Sequence, residues 1–450
     1  MKKSMLIGLI LIALMLFGTM SVFAGGRQNL QGMDIIIGNW WADYDTTRTP
    51  PTPQWTGSDY EERELEYRRR IQTENNFRMR HRNIASWSEM QQIAATSMMA
   101  GRPAASVFLL QPDWALSLYR QNLLYPVSDS RAINWSSQTP IQWNATVAQA
   151  FTFGGKAYAF YNGHGSSLHT ALVFWNKRLF REAGLNPDLP YDLQRDNQWT
   201  WDRFLDISKR LTRDINNDGI IDIYAMPSDL STEILDALVV SNNAMYVGKD
   251  PRTGRLFNAS NRPEFIEAVR FFMRLRDEGV MMPRPEGSEW NWHIPAFQDG
   301  KVAMRIDQHY IRGDLRNMTD DWGMVLPPRG PRANGYRVFT DENVMVIPRS
   351  TTPQNVDRIL FAVNLWLTPI DPDWKAGLWQ HYRDRRAVDE TWALIRNPAL
   401  NVWRYHLHVP GFNRGGIAWQ VWWHDGEPAQ LIEAVSQQWN ALIEDANGLQ

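Results

Sequence analysis

The N-terminal third of the chain alternates short apolar runs with segments of helical spacing. Residues 34–38 (DIIIG) and 106–110 (SVFLL) are runs of the kind that form strands buried on both faces of a parallel sheet. Between them lie a helical segment from Ser58, an apolar and basic alternation over 77–84, and a helical segment over 89–100. This order of strand, helix, strand, helix, strand predicts an α/β layer with a parallel sheet.

The alternation continues in the second third of the chain. The pattern predicts a buried strand over 172–176, a helix over 199–211, and a helix over 262–278 in which Asn261 and Glu264 resemble a capping box. A chain of 450 residues exceeds what one hydrophobic core usually supports. The sequence therefore predicts two domains of the α/β class.

The first 24 residues have the features of a secretory signal. Lys2 and Lys3 precede an uncharged stretch over 5–24, which ends with small residues at the last and third-last positions. Cleavage is expected after Ala24. The alternative is an uncleaved membrane anchor, because about 20 apolar residues can span a bilayer.

Cysteine content and charge narrow the possible classes of protein. The chain has no cysteine, which excludes disulfides, thiol catalysis and zinc–thiolate sites, and also the acylated cysteine that anchors bacterial lipoproteins. The mature protein is therefore expected to be periplasmic or secreted. The formal net charge is only −2 and no basic stripe is visible, which argues against a nucleic-acid partner.

Tryptophan is unusually frequent. The chain carries 22 tryptophans, and many stand in polar contexts rather than in apolar runs. Flat rings with one polar N–H suit the apolar faces of sugar rings, although part of the set is expected to fill a core. The composition therefore favours a carbohydrate ligand.

Aromatic and polar residues directly follow two of the predicted strands. Ligands of open α/β sheets bind beyond the carboxyl ends of the strands. The segment after the first run is Asn39-Trp40-Trp41, and the segment after the third is Gln111-Pro112-Asp113-Trp114. Candidate ligand-binding residues of this first domain are therefore Trp40, Trp41, Gln111, Asp113 and, as a weaker candidate whose ring could turn inward, Trp114.

A short acidic motif follows the helix predicted over 199–211. It offers oxygens at the spacing of an EF-hand-type calcium loop, with Gly219 at the sixth position. Its twelfth position is Ala225 rather than the bidentate Glu, so a metal-free turn is the alternative. The possible calcium ligands are Asp214, Asn216, Asp218, Ile220 and Asp222.

The catalytic motifs that we sought do not occur. The chain contains no GxSxG, HExxH, P-loop or GxGxxG sequence. The adjacent carboxylates of Asp341 and Glu342 would point apart in a strand, whereas glycosidases oppose two carboxyl groups across a bond. We therefore expect a protein that is not an enzyme, with a secreted carbohydrate-active enzyme as the alternative.

Four stretches occur in an order that resembles a known family. They are SWSEMQQIAATSMMAGRPAASVFLLQPDWALSLYRQNLLYPVSD, FTFGGKAYAFYNG, LVFWNKRLFREAGLNPDLP with the later QWTWDRFLDISKRLTRDINNDGIIDIYA, and FQDGKVAM. Together they are similar to extracellular solute-binding proteins of family 1, the maltose-binding protein group that serves ABC importers. The resemblance spans most of the chain.

The resemblance implies a two-lobed periplasmic-binding-protein type II fold, in which each lobe is a sheet flanked by helices. Hinge crossovers are expected near 157–162, 337–341 and 368–373, and closure of the lobes on a ligand is the family's mechanism. The implied boundaries are 1–24 for the signal peptide, 25–158 and 338–371 for lobe I, and 159–337 and 372–450 for lobe II.

The expected cleft adds candidates at loop tips, chosen because rings and planar polar groups suit sugar hydroxyls. Trp292 and Trp41 are the preferred ring platforms. The added candidates are Tyr161, Asn162 and His164 at the first crossing, Trp290, Trp292 and Asp307 on lobe II, and Asp341 and Asn343 at the second crossing.

The predicted function is capture of a carbohydrate, expected to be an oligosaccharide, and its delivery to the membrane permease of an ABC importer. A monomer that requires no cofactor, apart from the possible calcium, is expected. A periplasmic ligand sensor is a further alternative, and peptide or polyamine ligands stay open.

Overall fold

Two β-sheets, each with its own hydrophobic core, organise the chain. The structure is a computed structural model that describes residues 27–133, 150–160, 170–228, 231–339, 341–423 and 426–448. The predicted signal segment and the candidates Tyr161, Asn162 and His164 lie outside the described residues. No helix in the described ranges is both long enough and apolar enough to cross a membrane.

The strands are mostly short, as expected for a chain with many connections. They are β1 Met33–Asn39, β2 Tyr44–Asp45, β3 Phe77–Asn83, β4 Val107–Leu110, β5 Thr152–Phe153, β6 Lys156–Ala157, β7 Ala171–Asn176, β8 Met226–Pro227, β9 Val247–Lys249, β10 Leu256–Asn258, β11 Met281–Met282, β12 Met304–Gln308, β13 Trp322–Val325, β14 Val338–Phe339, β15 Val344–Val346 and β16 Asn401–Val402.

The α-helices are α1 Asp59–Asn75, α2 Met90–Met99, α3 Pro112–Arg120, α4 Lys177–Glu182, α5 Leu189–Arg195, α6 Trp201–Leu211, α7 Ser231–Ser241, α8 Pro263–Asp277, α9 His293–Gln298, α10 Pro353–Leu367, α11 Ala376–Trp379, α12 Ala393–Ile395, α13 Gly415–Trp423 and α14 Pro428–Gly448. Segments of 3-10 helix cover Val127–Asp129, His309–Asn317, Pro398–Leu400 and Tyr405–His408, and a π-helix covers Ala387–Trp392.

The first sheet has the strand order β15-β4-β1-β3-β2. Its central strand β1 pairs in parallel with both β3 and β4, whereas the edge strands β2 and β15 run antiparallel to their neighbours. The predicted α/β layer is therefore confirmed. Because β1, β3 and β4 are parallel, the residues that follow each of them lie at the same edge of the sheet.

Side chains of the first sheet alternate between two core layers, as the period of a strand requires. Ile35 and Ile37 face a layer that includes helix α10, and Phe108 and Leu110 face a layer that includes helices α2 and α3. Both faces are covered, which explains the unbroken apolar runs in the sequence. We call this unit lobe I.

The second sheet has the order β12-β7-β13 and is antiparallel. Its core contains Trp175 and Trp322, and it extends to C-terminal residues such as Trp392 and Trp439. Most of the segment after α10 therefore packs on the second sheet, whereas Trp403 belongs to the core of the first. We call this unit lobe II.

Local capping signals account for several helix starts. Ser58 and Glu61 form the capping box that begins α1, and Thr200 caps α6 through the N–H of Arg203. The predicted capping box at Asn261 is wrong. Helix α8 has Arg262 at its N-cap position without a side-chain bond, and Pro263 begins the helix because proline needs no N–H partner there.

Candidate ligand-binding site

A fixed turn ends strand β1. The side chain of Asn39 is buried, and its Oδ1 accepts the N–H groups of Trp41 at 2.9 Å and Ala42 at 3.1 Å. Its Nδ2 donates to the carbonyl oxygen of Ala42 at 2.9 Å. The backbone of Asn39 is still paired with β3, and its amide side chain closes the turn that follows. It therefore holds Trp40 and Trp41 at the carboxyl edge of the sheet.

Four tryptophans form a contiguous cluster at this edge, which we call the lobe I tryptophan cluster. The ring of Trp40 contacts Trp41 at 4.8 Å and Trp114 at 5.2 Å between centroids, and Trp87 lies 5.7 Å from Trp114. Trp41 and Trp87 are 42% and 56% exposed, whereas Trp114 is 7% exposed. The cluster therefore has buried members that support two accessible rings.

Sequence analysis missed Trp87. It lies in the turn after β3, the strand next to β1, so Trp87 and Trp40 both follow the carboxyl end of a parallel strand at the same edge of the sheet. That parallel was the available signal. The other lobe I candidates lie at the start of α3: Gln111 is the half-buried N-cap residue, Asp113 is exposed in the first turn, and Trp114 turns inward beneath Trp40.

Strand β12 of lobe II ends close to the point where the chain passes between the sheets. Gln308, its last residue, pairs with Ala171 at the start of β7, and the N–H of His309 donates to the carbonyl of Thr170 at 3.2 Å. The hydroxyl of Thr170 in turn donates to the carbonyl of Phe339, at 2.5 Å. The carboxyl end of β12 therefore faces the junction of the two lobes.

The two tryptophans predicted on lobe II differ in burial. Trp290 is 72% exposed, and its ring lies 5.9 Å from that of His293. Trp292 is only 6% exposed and belongs to the lobe II core, so the choice of Trp292 as a ring platform is corrected. It stands at the N-cap of α9, and packing of that helix on the core carries its ring inward.

The assignment of Asp307 as a ligand-binding residue is also corrected, because its carboxylate oxygens already accept hydrogen bonds within the protein. Arg305 donates to Oδ2 through Nε at 2.7 Å and through Nη2, and the N–H of Gln308 donates to Oδ1 at 2.6 Å. Burial raises the pKa of Asp307, while Arg305 acts in the opposite direction. Asp307 therefore orients Arg305 rather than presenting a free carboxylate.

Two buried polar groups next to this pair lack partners in the described part of the chain. They are Nη1 of Arg305 and both ring nitrogens of His293, whose side chain is buried beside Trp290. Burial, with Arg305 and Arg284 nearby, lowers the pKa of His293 to about 4, so its ring is neutral at pH 7. A neutral imidazole and a guanidinium offer one acceptor and several donors, which suits a hydroxyl group.

Two further lobe II residues were missed by sequence analysis. Tyr310, in the 3-10 helix after β12, is 52% exposed, and Glu233 lies in the first turn of α7. Nε2 of Gln308 donates to Glu233 at 3.4 Å. Burial, and then repulsion from Asp307 and Asp236, raises the pKa of Glu233 to about 7. These residues are candidates only because they lie next to the end of β12 in the folded protein.

A buried ion-pair network joins three segments at the base of the lobes. Arg404 donates through Nε to Asp341 at 2.6 Å and also through Nη2, and its Nη1 lies 2.8 Å from Oδ2 of Asp236 in α7. Nε of Arg414 lies 3.0 Å from the same Asp236 oxygen. Asp341 is therefore a structural ion-pair partner, which corrects its assignment as a ligand-binding candidate. Asn343 is buried, with Oδ1 unpartnered among the described residues.

The segment that carries Arg404 contacts both lobes. The neighbouring Trp403 packs against Phe151 of the lobe I core, with 6.0 Å between ring centroids. Arg120 of helix α3 donates to the carbonyl of His408 at 2.5 Å. The chain therefore fastens lobe I to lobe II through a segment that sequence analysis did not single out.

The acidic loop after α6 does not fit the calcium prediction. Its carboxylates accept backbone N–H groups of the loop itself: Asp214 accepts from Asn217 at 2.7 Å and from Gly219 at 2.8 Å, and Asp222 accepts from Ile215 at 2.7 Å. No group of three acidic or histidine residues that could hold a metal occurs within the described ranges. The loop is a turn closed by its own side chains rather than a metal site. The assignment as calcium ligands is therefore corrected for Asp214, Asn216, Asp218, Ile220 and Asp222.

Solved structures with the same fold cover most of this chain. The cyclic α-maltosyl-1,6-maltose binding protein from Arthrobacter globiformis is 13% identical, with 92% of this chain and 100% of that protein aligned at a TM-score of 0.65. UgpB from Mycobacterium tuberculosis in complex with glycerophosphocholine is 15% identical, with 92% and 98% covered at a TM-score of 0.63. An ABC substrate-binding protein from Listeria monocytogenes in complex with cycloalternan is 14% identical, with 93% and 100% covered at a TM-score of 0.61.

These likenesses show the fold, and the predicted two-lobed architecture is confirmed. No curated protein matches the sequence. The family model described as bacterial extracellular solute-binding protein matches residues 66–357, which is more than half of the chain. The chain therefore belongs to the family of bacterial extracellular solute-binding proteins.

Proposed function

We propose that the protein binds a carbohydrate, most simply an oligosaccharide, between its lobes and delivers it to an ABC importer. The observation that carries the proposal is the lobe I tryptophan cluster, in which two exposed rings stand at the carboxyl edge of the sheet. Exposed indole rings stack on the apolar faces of sugars. Leaving apolar rings in contact with water is unfavourable, and a ligand that covers them removes this cost. The family consists of solute-binding proteins rather than enzymes.

The ligands of proteins with similar structures include carbohydrates, but they do not identify the ligand of this protein. The Arthrobacter globiformis protein is named for a cyclic maltose derivative, and the Listeria monocytogenes protein is in complex with cycloalternan. UgpB is in complex with glycerophosphocholine, which is not a sugar. At identities of 13–15% these ligands do not transfer to this chain, so the sugar assignment rests on the exposed rings.

We propose that the ligand lies between two half-sites. The lobe I half comprises Trp40, Trp41 and Trp87, with Gln111 and Asp113 at its border. The lobe II half comprises Trp290, Tyr310 and the polar groups of His293, Arg305 and Glu233. Asn343 would line the base, and Tyr161, Asn162 and His164, which lie outside the described residues, stay predicted ligand contacts.

Closure would follow from differential binding. A ligand that touches both half-sites has more contacts when the lobes are closed, so it shifts the population towards the closed form that an importer can recognise. The lobes would comprise 25–158 with 338–371 and 159–337 with 372–450. We further propose a periplasmic or secreted monomer, processed after Ala24, that needs no cofactor.

The decisive experiment is titration of the mature protein with a panel of oligosaccharides, followed by thermal unfolding and solution scattering. A true ligand at a hundred times its dissociation constant should add about 2.7 kcal/mol to the stability and should reduce the radius of gyration. No reducing ends should be released during the incubation. If no carbohydrate changes the unfolding temperature or the scattering profile, the proposal is wrong.

A further inference from the structure

A second cavity opens on lobe II, away from the residues of the proposed site. Its volume is about 350 Å³, and it lies between the first turn of α6, one face of α8 and the loop over 329–331. Cavities of this size fall at the lower end of the range that small-molecule ligands occupy. None of the residues that line it belongs to either half-site of the proposed cleft.

One wall of the cavity is a rigid aromatic pair. The rings of Trp201 and Phe271 are stacked, with 4.5 Å between centroids and 7° between planes. Nε1 of Trp201 donates to the hydroxyl of Ser241 at 3.2 Å, which fixes the indole. Both side chains are largely buried, so only the part of the pair that faces the cavity is accessible. This wall suits an apolar ring.

The opposite lining carries an excess of positive charge. Arg270, Arg274 and Arg329 line the cavity, together with the carboxylates of Asp202 and Glu267. Asp202 is largely exposed, and its Oδ1 lies 3.9 Å from Nη1 of Arg274, whose Nε also lies 3.7 Å from Oε1 of Glu278 outside the cavity lining. Such a contact between exposed groups neutralises little charge.

The carboxylate of Glu267 is already neutralised from outside the cavity. Arg332 contacts it in bidentate fashion, with Nη2 at 2.7 Å and Nε at 3.1 Å from the same oxygen. This pairing lowers the pKa of Glu267. Arg332 is therefore the main partner of Glu267, and of the three cavity arginines Arg270 acts on the same carboxylate more weakly.

Two of these arginines have no carboxylate within ion-pair distance in the part of the chain that the structure describes. Arg329 donates instead to the carbonyls of Ala333 at 2.8 Å and Asn197 at 3.4 Å, and its buried Nε has no partner there. Arg270 is exposed beside it. The first turn of α6 borders the same cavity, but its N–H groups are engaged there, since Trp201 donates to the carbonyl of Arg329 at 3.1 Å and Arg203 donates to the hydroxyl of Thr200.

From this geometry we infer that the cavity is a second binding site, for a small anion that carries an apolar ring. The ring would contact Trp201 and Phe271, and a carboxylate or phosphate group would accept charge-assisted hydrogen bonds from Arg274 and Arg270, while Arg329 adds positive charge. The site is separate from the cleft, so its occupancy does not depend on the proposed carbohydrate function.

The test uses phenyl phosphate as the probe, titrated into the mature protein by calorimetry. Saturable binding with one site is expected. The variants Arg270→Gln and Arg274→Gln should each weaken it by roughly tenfold, the loss expected for one charge-assisted contact. Arg255→Gln is the matched control, because it removes the same charge from an exposed lobe II pair with Glu444.

Two comparisons separate the parts of the inference. Phenol, without the anion, and inorganic phosphate, without the ring, should each bind more weakly than phenyl phosphate. The inference is overturned if phenyl phosphate does not saturate, if inorganic phosphate binds equally well, or if Arg255→Gln weakens binding as much as the cavity variants do. Oligosaccharide affinity should be unchanged in all three variants.

Discussion

The described tryptophans of this chain differ widely in burial. Trp175, Trp199, Trp322, Trp392 and Trp439 are among the largest fully buried side chains and fill the lobe II core. Others stand with more than a third of their surface exposed, although burying an aromatic side chain is normally favourable. Among the described residues, the exposed tryptophan rings are Trp41, Trp87, Trp290, Trp419 and Trp423.

Replacing an exposed ring of the lobe I tryptophan cluster should affect binding rather than folding. Trp41→Ala and Trp87→Ala should each weaken the best oligosaccharide by roughly 1–3 kcal/mol, because each removes an aromatic contact surface. Calorimetric titration measures the change. Trp419→Ala removes an exposed ring of α13, outside both half-sites, and should leave the affinity unchanged. Equal affinities in all three variants would contradict the assignment of the cluster.

Trp292, in contrast, should behave as a core residue. The variant Trp292→Ala should lower the free energy of unfolding by about 3–5 kcal/mol, the cost of deleting a buried aromatic side chain. Urea denaturation measures this cost. Trp290→Ala removes an exposed ring two residues earlier in the chain, serves as its control and should cost much less. A small loss for Trp292→Ala would mean that its ring is not held in the core.

The raised pKa of Glu233 predicts a specific pH dependence of stability. The pKa is about 7 in the folded protein against 4.5 ordinarily, so between these values the folded state holds a proton that the unfolded state has released. This contribution to stability is present at low pH and is lost as the pH rises through 7.

Glu233→Gln should remove that loss. The quantity to measure is the free energy of unfolding of the wild type minus that of Glu233→Gln, by denaturation at several pH values. This difference should fall between about pH 5 and pH 8. The exposed Glu427→Gln is the control, and buried histidines titrate equally in all three proteins. A difference that does not change with pH would contradict the raised pKa.

At the scale of elements, strand β1 and the turn after it depend on a close approach of three segments. A Cβ added at Gly38 would lie 2.6 Å from Cδ1 of Ile84 and 2.9 Å from Cβ of Ala105. Gly38 immediately precedes Asn39, which fixes the Trp40–Trp41 turn. Packing between β1 and its neighbours therefore also positions the exposed rings.

The variant Gly38→Ala should disturb both the packing of β1 and the position of the Trp40–Trp41 turn. We expect a loss of about 1–3 kcal/mol in the free energy of unfolding, as for overpacking elsewhere, together with weaker oligosaccharide binding. Gly313→Ala, where no atom lies within 4 Å of the added carbon, should change the stability little. Denaturation and titration of both variants give the comparison, and equal stabilities would refute the packing argument.

At the scale of the whole molecule, the ion pairs of Arg404 connect Asp341, which lies between β14 and β15, with helix α7 and the C-terminal segment. The three charged side chains are almost fully buried. Burial of charge is tolerated only when the partners remain paired. The junction of the lobes therefore depends on one guanidinium that serves two carboxylates.

Removal of that guanidinium should be costly. Arg404→Met leaves Asp236 and Asp341 buried, with less compensation, and should reduce the free energy of unfolding by about 3–5 kcal/mol. Adding Asp236→Asn and Asp341→Asn should restore part of this loss. Arg255→Met breaks an exposed pair and should cost less than about 1 kcal/mol. If both arginine variants lose the same stability in urea, the network is not structural.

The sequence alone was sufficient for features with a local cause. The apolar runs at 34–38 and 106–110 are strands, Ser58 caps its helix, and Trp40 and Trp41 stand where β1 ends. Each follows from periodicity or from hydrogen bonds within a few residues, which a linear pattern contains. The order of strands and helices likewise predicted the parallel arrangement of β1, β3 and β4.

Tertiary structure decided which candidate side chains are available to a ligand. Trp292 is buried, Asp307 is engaged by Arg305, and Asp341 is engaged by Arg404, which is 63 positions away in the chain. Trp87 joins the aromatic cluster because β3 lies beside β1. Exposure and charge pairing are properties of long-range contacts, and a sequence lists the groups without stating which of them meet.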